Sequence, residues 1–250
     1  MRVLAVLIPF LALSCDGGPS PPPSPAPPPP VETPLRTGAI EGVVRVDSGD
    51  IAPLMGTVRG FEKYCGTGPL DPGIYKVDAA TKGLAGAVVE ADGRCADFKS
   101  PGVPVLDQKA CLFTPVLLVV PPGPVVFKNS DAMPHNVTIR GLLNREVAEA
   151  FLGGQAISKT FPFDEKLAVR CTFHPWMQAG LVVTRRAAHA VTDSAGHFRI
   201  EGVESGRRTI KVWHLLGEEV TVEVDVPADG VVKVQIAWKP RSNFRAGFAR

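Results

Sequence analysis

Residues 115–131 read PVLLVVPPGPVVFKNSD, two β-branched runs separated by a Pro-Pro-Gly turn. Short apolar runs bounded by glycine and proline are typical of β-strands joined by tight turns. The same pattern recurs from residue 38 to residue 240, so the sequence predicts an all-β fold of the sandwich or barrel type. The predicted strands are residues 39–46, 86–91, 115–120, 124–129, 135–140, 167–171, 180–184, 197–200, 208–213, 219–226 and 231–238.

One stretch inside this β pattern has a different periodicity. LLNREVAEAFL (142–152) places Leu143, Val147 and Phe151 on one face of a helix. We therefore expect a short surface helix, or a turn, that covers the edge of a sheet.

Two motifs contain side chains with soft donor atoms. CTFHPWM (171–177) contains a thiol, an imidazole and a thioether, each separated from the next by two residues. AMPHNV (132–137) supplies a further imidazole at the start of an earlier predicted strand. Two imidazoles, a thiolate and a weakly bound thioether suit copper in both of its oxidation states. The two motifs together are a candidate metal site.

On a Greek-key run of strands, AMPHNV and C-x-x-H-P-x-M closely resemble the cupredoxins, the type 1 blue copper proteins. The short ligand loop is most similar to that of the amicyanin- and plastocyanin-like members. The resemblance covers residues 105–184 and implies a Greek-key cupredoxin β-sandwich or barrel over residues 103–185. It implies one type 1 copper ion as cofactor. The implied ligands are His135, Cys171, His174 and Met177.

The resemblance also implies roles for residues around the ion. Asn136 and Thr172 would tie the two ligand segments together by hydrogen bonds. One edge of the His174 ring would reach the surface. An apolar rim around that edge, including Trp176 and Met133, would be a docking patch for a redox partner protein.

The burial of the histidines is predicted from their positions in the strand pattern. His135 opens a strand whose alternate residues are apolar, so it should be the more buried ligand imidazole. His189, His197 and His214 have no partner at ligand spacing. We expect these three at the surface or at sheet edges.

The C-terminal half contains a second recognisable pattern. VTDSAGHFRIEGVESGRRTIKVW (191–213) resembles the transthyretin-like, carboxypeptidase regulatory-like β-sandwich modules, and residues 38–91 resemble the opening half of such a module. We therefore predict one discontinuous sandwich, residues 38–102 plus 186–240, with the cupredoxin domain inserted. A competing arrangement extends the first sheet of the inserted domain back to residue 38 and leaves the C-terminal part as a small appendage.

The N-terminal region is typical of an exported protein. Residues 1–15, MRVLAVLIPFLALSC, form a short apolar run after Arg2, the pattern of a signal peptide. Its end resembles the lipobox of bacterial lipoproteins, which implies lipidation of Cys15 and a membrane anchor. Residues 16–37 are a Pro-rich linker. We expect the bacterial periplasm or cell surface, or secretion if Cys15 belongs to an ordinary cleaved signal peptide.

Three of the five cysteines are left once Cys15 and Cys171 are assigned. Because Cys65, Cys95 and Cys111 are an odd number, they form at most one disulfide with each other. The candidate pair is Cys65 with Cys111, and Cys95 is the alternative partner of either.

The overall composition excludes some classes of function. A net charge of +2 is too small to indicate a nucleic-acid partner, and the basic segment 241–250 is expected to be a frayed terminus. Four protein ligands leave no open metal position for a substrate, so the chain is not expected to be an enzyme. We expect an exported, membrane-anchored type 1 copper protein that carries single electrons as Cu(I)/Cu(II). The alternatives are a module that stores, delivers or senses copper, and a structural or interaction β-sandwich protein without metal.

Overall fold

The computed structural model describes residues 35–47 and 52–242. Within these residues it contains sixteen strands and one short helix, so the predicted all-β fold is confirmed. The predicted signal peptide with Cys15, most of the Pro-rich linker and most of the basic tail lie outside the described residues. The elements are β1 (Thr37–Val46), α1 (Glu62–Cys65), β2 (Val88–Ala91), β3 (Val105–Lys109), β4 (Leu112–Thr114), β5 (Leu117–Val120), β6 (Gly123–Asn129), β7 (His135–Ile139), β8 (Val147–Phe151), β9 (Ala156–Phe161), β10 (Glu165–Arg170), β11 (Gln178–Val183), β12 (His189–Val191), β13 (His197–Glu204), β14 (Gly206–Trp213), β15 (Val220–Val226) and β16 (Val231–Trp238).

The strands between residues 105 and 183 form two sheets, of order β4-β3-β6-β9 and β5-β11-β10-β7-β8. Many of these strands alternate buried apolar with more exposed residues, as expected for β-branched and aromatic side chains on a half-buried pleated surface. The buried side chains of both sheets belong to one hydrophobic core. Within it, the rings of Phe127 and Phe161 on neighbouring strands lie 6.2 Å apart.

The strands before residue 92 and after residue 188 form two other sheets, of order β13-β1-β16 and β12-β2-β14-β15. In the first of them β1 pairs in parallel with β16, from Ala39 opposite Val231 to Val46 opposite Trp238. The beginning and the end of the described chain therefore share sheets. The predicted domain boundaries, 38–102, 103–185 and 186–240, stay a prediction.

The two pairs of sheets touch through specific side chains. Lys166 on β10 makes ion pairs with Glu90 on β2 at 2.8 Å and with Glu219 at 2.5 Å. A Cβ atom at Gly180 would lie 3.0 Å from the Trp213 ring, so the absence of a side chain there allows β11 and β14 to approach closely.

Of the helix or turn predicted over residues 142–152, the helix is wrong, and residues 142–144 form a bend. Residues 147–151 form strand β8, which pairs with β7 from His135 opposite Phe151 to Ile139 opposite Val147. The preceding turn is tied to Glu165, whose carboxylate accepts hydrogen bonds from the backbone N–H groups of Leu142 and Asn144. Pairing with a neighbouring strand thus outweighs the local helical pattern.

Residues 52–87, which precede β2, contain little regular structure. Residues 52–70, called the strap below, include helix α1 and an isolated bridge in which Gly56 and Leu70 exchange backbone hydrogen bonds of 2.6 and 2.9 Å. In the described part of the chain, no helix has both the length and the apolar composition needed to cross a bilayer.

Candidate metal centre

Three of the predicted ligands converge at one end of neighbouring strands. His135 opens β7, and Cys171 directly follows β10, its antiparallel neighbour in the sheet. His174 lies in the loop that joins β10 to β11. As a result the Nδ1 atoms of His135 and His174 lie 3.1 Å apart, and Sγ of Cys171 lies 3.6 Å from Nδ1 of His174. All three side chains are buried.

These distances fit a metal ion held by two nitrogens and one sulfur. With metal–nitrogen bonds of about 2.0 Å and a metal–sulfur bond of about 2.3 Å, a trigonal plane separates the nitrogens by about 3.5 Å. It separates sulfur from nitrogen by about 3.8 Å. The His135–His174 and Cys171–His174 distances are within about half an ångström of these values, and all three donor atoms lie within 4.8 Å of one another. Ligation would thus require only small side-chain shifts.

The ligand loop is closed by its own backbone. The N–H of Cys171 donates to the carbonyl of Met177 at 3.1 Å, and the N–H of Met177 donates to the carbonyl of His174 at 2.9 Å. Met177 is fully buried. These hydrogen bonds hold the backbone of Met177 close to the backbone of Cys171 and His174. The role of Met177 as a weak ligand stays a prediction.

The two ligand segments are tied together by Asn136 and Thr172. The Asn136 amide donates to Oγ1 of Thr172 at 2.5 Å, and the backbone N–H of Thr172 donates to Oδ1 of Asn136 at 2.7 Å. The carbonyl of Asn136 in turn accepts a hydrogen bond of 2.9 Å from the buried Gln108 amide. Such contacts orient ligand segments and limit their movement.

Asp131 is a site residue that the sequence reasoning missed. Its Oδ2 lies 2.8 Å from Nε2 of His135, and its two oxygens also accept hydrogen bonds from the backbone N–H groups of Ala110 and Cys111. Because a carboxylate only accepts, Nε2 of His135 carries the proton and Nδ1 presents its lone pair to the site. The sequence signal that could have identified Asp131 is its position four residues before His135, a candidate ligand.

Burial sets the protonation of His174 and Cys171, two of the candidate ligands. Burial, and then the neighbouring His135, lower the pKa of His174 to about 4, so its imidazole is neutral at physiological pH. Burial raises the pKa of the Cys171 thiol, while hydrogen bonds from backbone groups, including that of Asn136, act in the opposite direction. A neutral imidazole is ready to bind a cation, whereas the thiol needs a bound cation to release its proton.

The expectation that one edge of His174 reaches the surface is wrong. His174 is 0% exposed and Trp176 is 2% exposed. The ring of Phe61, from the strap, packs edge-on against His174 at 4.3 Å between centroids. A Cβ atom at Gly56 would lie 2.3 Å from Cβ of Trp176, so this part of the strap lies directly on the indole. The strap covers the rim that was expected to be open.

A disulfide fastens this cover. Cys65 in the strap is bonded to Cys111, the candidate pair of the sequence analysis. The indole N–H of Trp176 donates to the carbonyl of Cys111 at 3.0 Å. Cys95 and Cys171 are free thiols, half-buried and buried respectively. Cys95 therefore forms no disulfide with Cys65 or Cys111.

The remaining histidines differ in burial. His197 is exposed, as expected, and His189 is half-buried on the short strand β12. The expectation for His214 is wrong: it is 3% exposed and packs at 5.0 Å against the buried ring of Trp238. Burial lowers the pKa of His214 to about 4.

No known family model matches this chain, and no curated protein does. Several solved structures are similar to parts of it, among them the following three. A purple cupredoxin from Nitrosopumilus maritimus is 20% identical with a TM-score of 0.29, over 32% of this chain and 99% of that protein. A mutant of amicyanin in its reduced state is 30% identical with a TM-score of 0.31, over 38% of this chain and 99% of that protein. The Cu-containing nitrite reductase of Thermus scotoductus SA-01 is 18% identical with a TM-score of 0.32, over 38% of this chain and only 25% of that protein.

These similarities extend over 32% to 38% of the chain. The resemblance of residues 38–91 and 191–213 to transthyretin-like modules stays a prediction.

Proposed function

We propose that this protein binds one copper ion in a type 1 site and carries single electrons. The observation that supports this function is the convergence of three buried donors, Nδ1 of His135, Nδ1 of His174 and Sγ of Cys171. One thiolate with two imidazoles is a donor set that selects copper over harder ions. The bound ion would supply one-electron chemistry by changing between Cu(I) and Cu(II).

The residues around the donors have separate tasks in this proposal. Asp131 holds the His135 ring with Nδ1 turned toward the site, and Asn136 with Thr172 limits the movement of the ligand loop. Cys171 would bind as the thiolate, and the thioether of Met177 would be a further, weak ligand. Because burial and hydrogen bonds hold these groups, little would rearrange when the charge of the site changes. A low cost of rearrangement is what an electron carrier needs.

A non-enzymatic role and an extracytoplasmic location are part of the same proposal. We propose export to the bacterial periplasm or cell surface, with Cys15 lipidated as the membrane anchor. A redox partner protein would dock near His174 and Trp176. Since the strap covers both side chains, the partner would first contact the outer face of the strap, where Met55 and Tyr64 are exposed.

A second role, in storing, delivering or sensing copper, is favoured by one observation. His174 is fully covered, whereas an open ring edge would shorten the path of an electron to a partner. A site shielded in this way would hold an ion without exchanging electrons quickly. The third role, an interaction module without metal, predicts no stoichiometric copper.

The visible spectrum of the full chain with added Cu(II) separates these functions. Electron transfer predicts an intense thiolate-to-copper band that disappears on reduction and returns on oxidation. Tight Cu(I) binding without the band would favour storage or delivery, and the absence of stoichiometric copper would contradict both metal roles. Cys171→Ser should abolish the band, and Cys95→Ser, which changes the other free cysteine among the described residues, should leave it intact.

A further inference from the structure

A second group of soft donors lies beside the candidate copper site. The sulfurs of Cys65 and Cys111 and one ring nitrogen of His174 all lie within 4.8 Å of one another. The thioether sulfur of Met133 lies 3.8 Å from Sγ of Cys65 and 3.9 Å from Sγ of Cys111. All four side chains are buried. Two sulfurs that become thiolates, a thioether and an imidazole would form a complete soft donor set.

The second ring nitrogen of His174 has no role in the first site. Nδ1 of His174 faces His135 and Cys171. Nε2 of His174 is buried and has no hydrogen-bond partner in the part of the chain that the structure describes. A buried polar atom without a partner is costly, and binding an ion would give this nitrogen a partner.

The tautomer of His174 follows from its neighbours. Asp131 places the proton of His135 on Nε2, so Nδ1 of His135 accepts, and the contact of 3.1 Å requires Nδ1 of His174 to donate. The lone pair of His174 is then on its buried Nε2. In the metal-free protein this nitrogen is ready to bind an ion outside the first site.

We propose that reduction of the Cys65–Cys111 disulfide creates a second metal site, specific for a soft monovalent ion such as Cu(I). A dithiol supplies two electrons and two protons and is itself oxidised to a disulfide. The bond between Cys65 and Cys111 breaks and two thiols form. Binding of the ion then releases both thiol protons to solvent, and the two thiolates, Sδ of Met133 and Nε2 of His174 are the ligands.

The donors remain close to one another after reduction because other contacts hold the strap. Gly56 and Leu70 exchange two backbone hydrogen bonds, and the ring of Phe61 packs on His174. On the opposite side, Cys111 is held by its N–H bond to Asp131 and by its carbonyl bond to the indole of Trp176. A preorganised set of donors binds an ion without first having to order a loop.

The two sites would bind different nitrogens of the same His174 ring. An ion at the first site binds Nδ1, which moves the proton of the neutral ring to Nε2 and removes the lone pair that the second site uses. The second site is therefore weakened when the first is filled. This second site is a function beyond electron transfer. It would bind Cu(I) beside the first site while the first site is still empty.

Cu(I) binding to the Cys171→Ser chain tests the second site without the first. A chromophoric Cu(I) chelator competes for the ion under anaerobic conditions, before and after reduction with a dithiol that is then removed. We expect about one additional Cu(I) per chain after reduction. Adding Cys65→Ser and Cys111→Ser should remove this gain, and adding Cys95→Ser should not. Equal Cu(I) binding by the oxidised and reduced chains would overturn the proposal.

Two further measurements distinguish loss of the second metal site from misfolding of a variant. Met133→Leu in the reduced Cys171→Ser chain should weaken Cu(I) binding by about tenfold, and Met55→Leu, an exposed methionine on the strap, should leave it unchanged. Cu(I) should also protect both Cys65 and Cys111 from alkylation by iodoacetamide, read by peptide mass. Alkylation of the two thiols at the same rate with and without Cu(I) would contradict the site even in a correctly folded chain.

Discussion

Asp131 accepts a hydrogen bond from Nε2 of His135 at 2.8 Å, and this single contact decides which nitrogen of His135 faces the candidate copper site. The same carboxylate accepts the backbone N–H bonds of Ala110 and Cys111, so it also joins the first ligand to the half of the disulfide that anchors the strap. One side chain thus connects the site to its cover.

Replacing this carboxylate should weaken the site. Asp131→Asn keeps the size of the side chain but replaces a carboxylate that only accepts with an amide that can also donate, so the His135 tautomer is no longer fixed and the apparent Kd for Cu(II) should rise by about 10- to 100-fold. Competition with a chelator measures it. Asp225→Asn, an exposed aspartate on β15, is the matched control. An unchanged Kd in Asp131→Asn would show that Asp131 does not position His135.

Removing the ring that covers His174 should open the site to small molecules. Phe61→Ala removes the edge-on contact of 4.3 Å and gives an inorganic one-electron reductant a path to the imidazole. We expect faster reduction of the Cu(II) protein in stopped flow, together with a loss of about 1–3 kcal/mol in unfolding free energy because apolar contacts are lost. Tyr64→Ala truncates an exposed ring on the same strap and should change neither quantity by much. No gain in rate for Phe61→Ala would mean that the strap does not limit access.

The close approach of the strap to Trp176 leaves no room for a methyl group. A Cβ atom at Gly56 would lie 2.3 Å from Cβ of Trp176, whereas one at Gly68 would meet no atom within 4 Å. Gly56→Ala should therefore lower the unfolding free energy by about 1–3 kcal/mol. Gly68→Ala should be close to neutral. Urea denaturation measures both, and equal stabilities would show that the strap moves away from Trp176 without cost.

Acidification should destabilise the metal-free protein in part through His214. Burial lowers the pKa of His214 in the folded state from 6.5 to about 4, so the unfolded chain binds the proton first as the pH falls. The stability contributed by the neutral ring is complete above pH 6.5 and is lost between about pH 6.5 and pH 4, by at most about 3 kcal/mol.

His214→Gln should make the decline of unfolding free energy between pH 7 and pH 4.5 less steep. His174, whose pKa is also lowered to about 4, still contributes a decline of the same sign. His197→Gln, at an exposed position, should keep the pH dependence of the unchanged chain. The same slope in His214→Gln and in the unchanged chain would exclude His214 as a source of the pH dependence.

Much of the β architecture was readable in advance because strand formation leaves a local pattern. The β-branched runs at residues 39–46 and 231–238 are strands in the structure, and the partners they choose in the sheet are far away in the sequence. Where a segment fits the spacing of a helix and also forms a strand, the local pattern alone does not decide its secondary structure. Residues 142–152 fit a helix by spacing, yet Val147 and Phe151 are buried as the two ends of a strand paired with β7.

Three of the proposed ligands were readable because they lie within seven residues, and a loop of that length brings its own donors together. The sequence of this loop therefore pointed to the chemistry of the site, together with the motif around His135. The burial of His174 beneath Phe61 and the burial of His214 against Trp238 depend on residues distant in sequence. Contacts of this kind leave no periodic trace in the chain, so they became visible only once the sheets had packed and the disulfide had placed the strap.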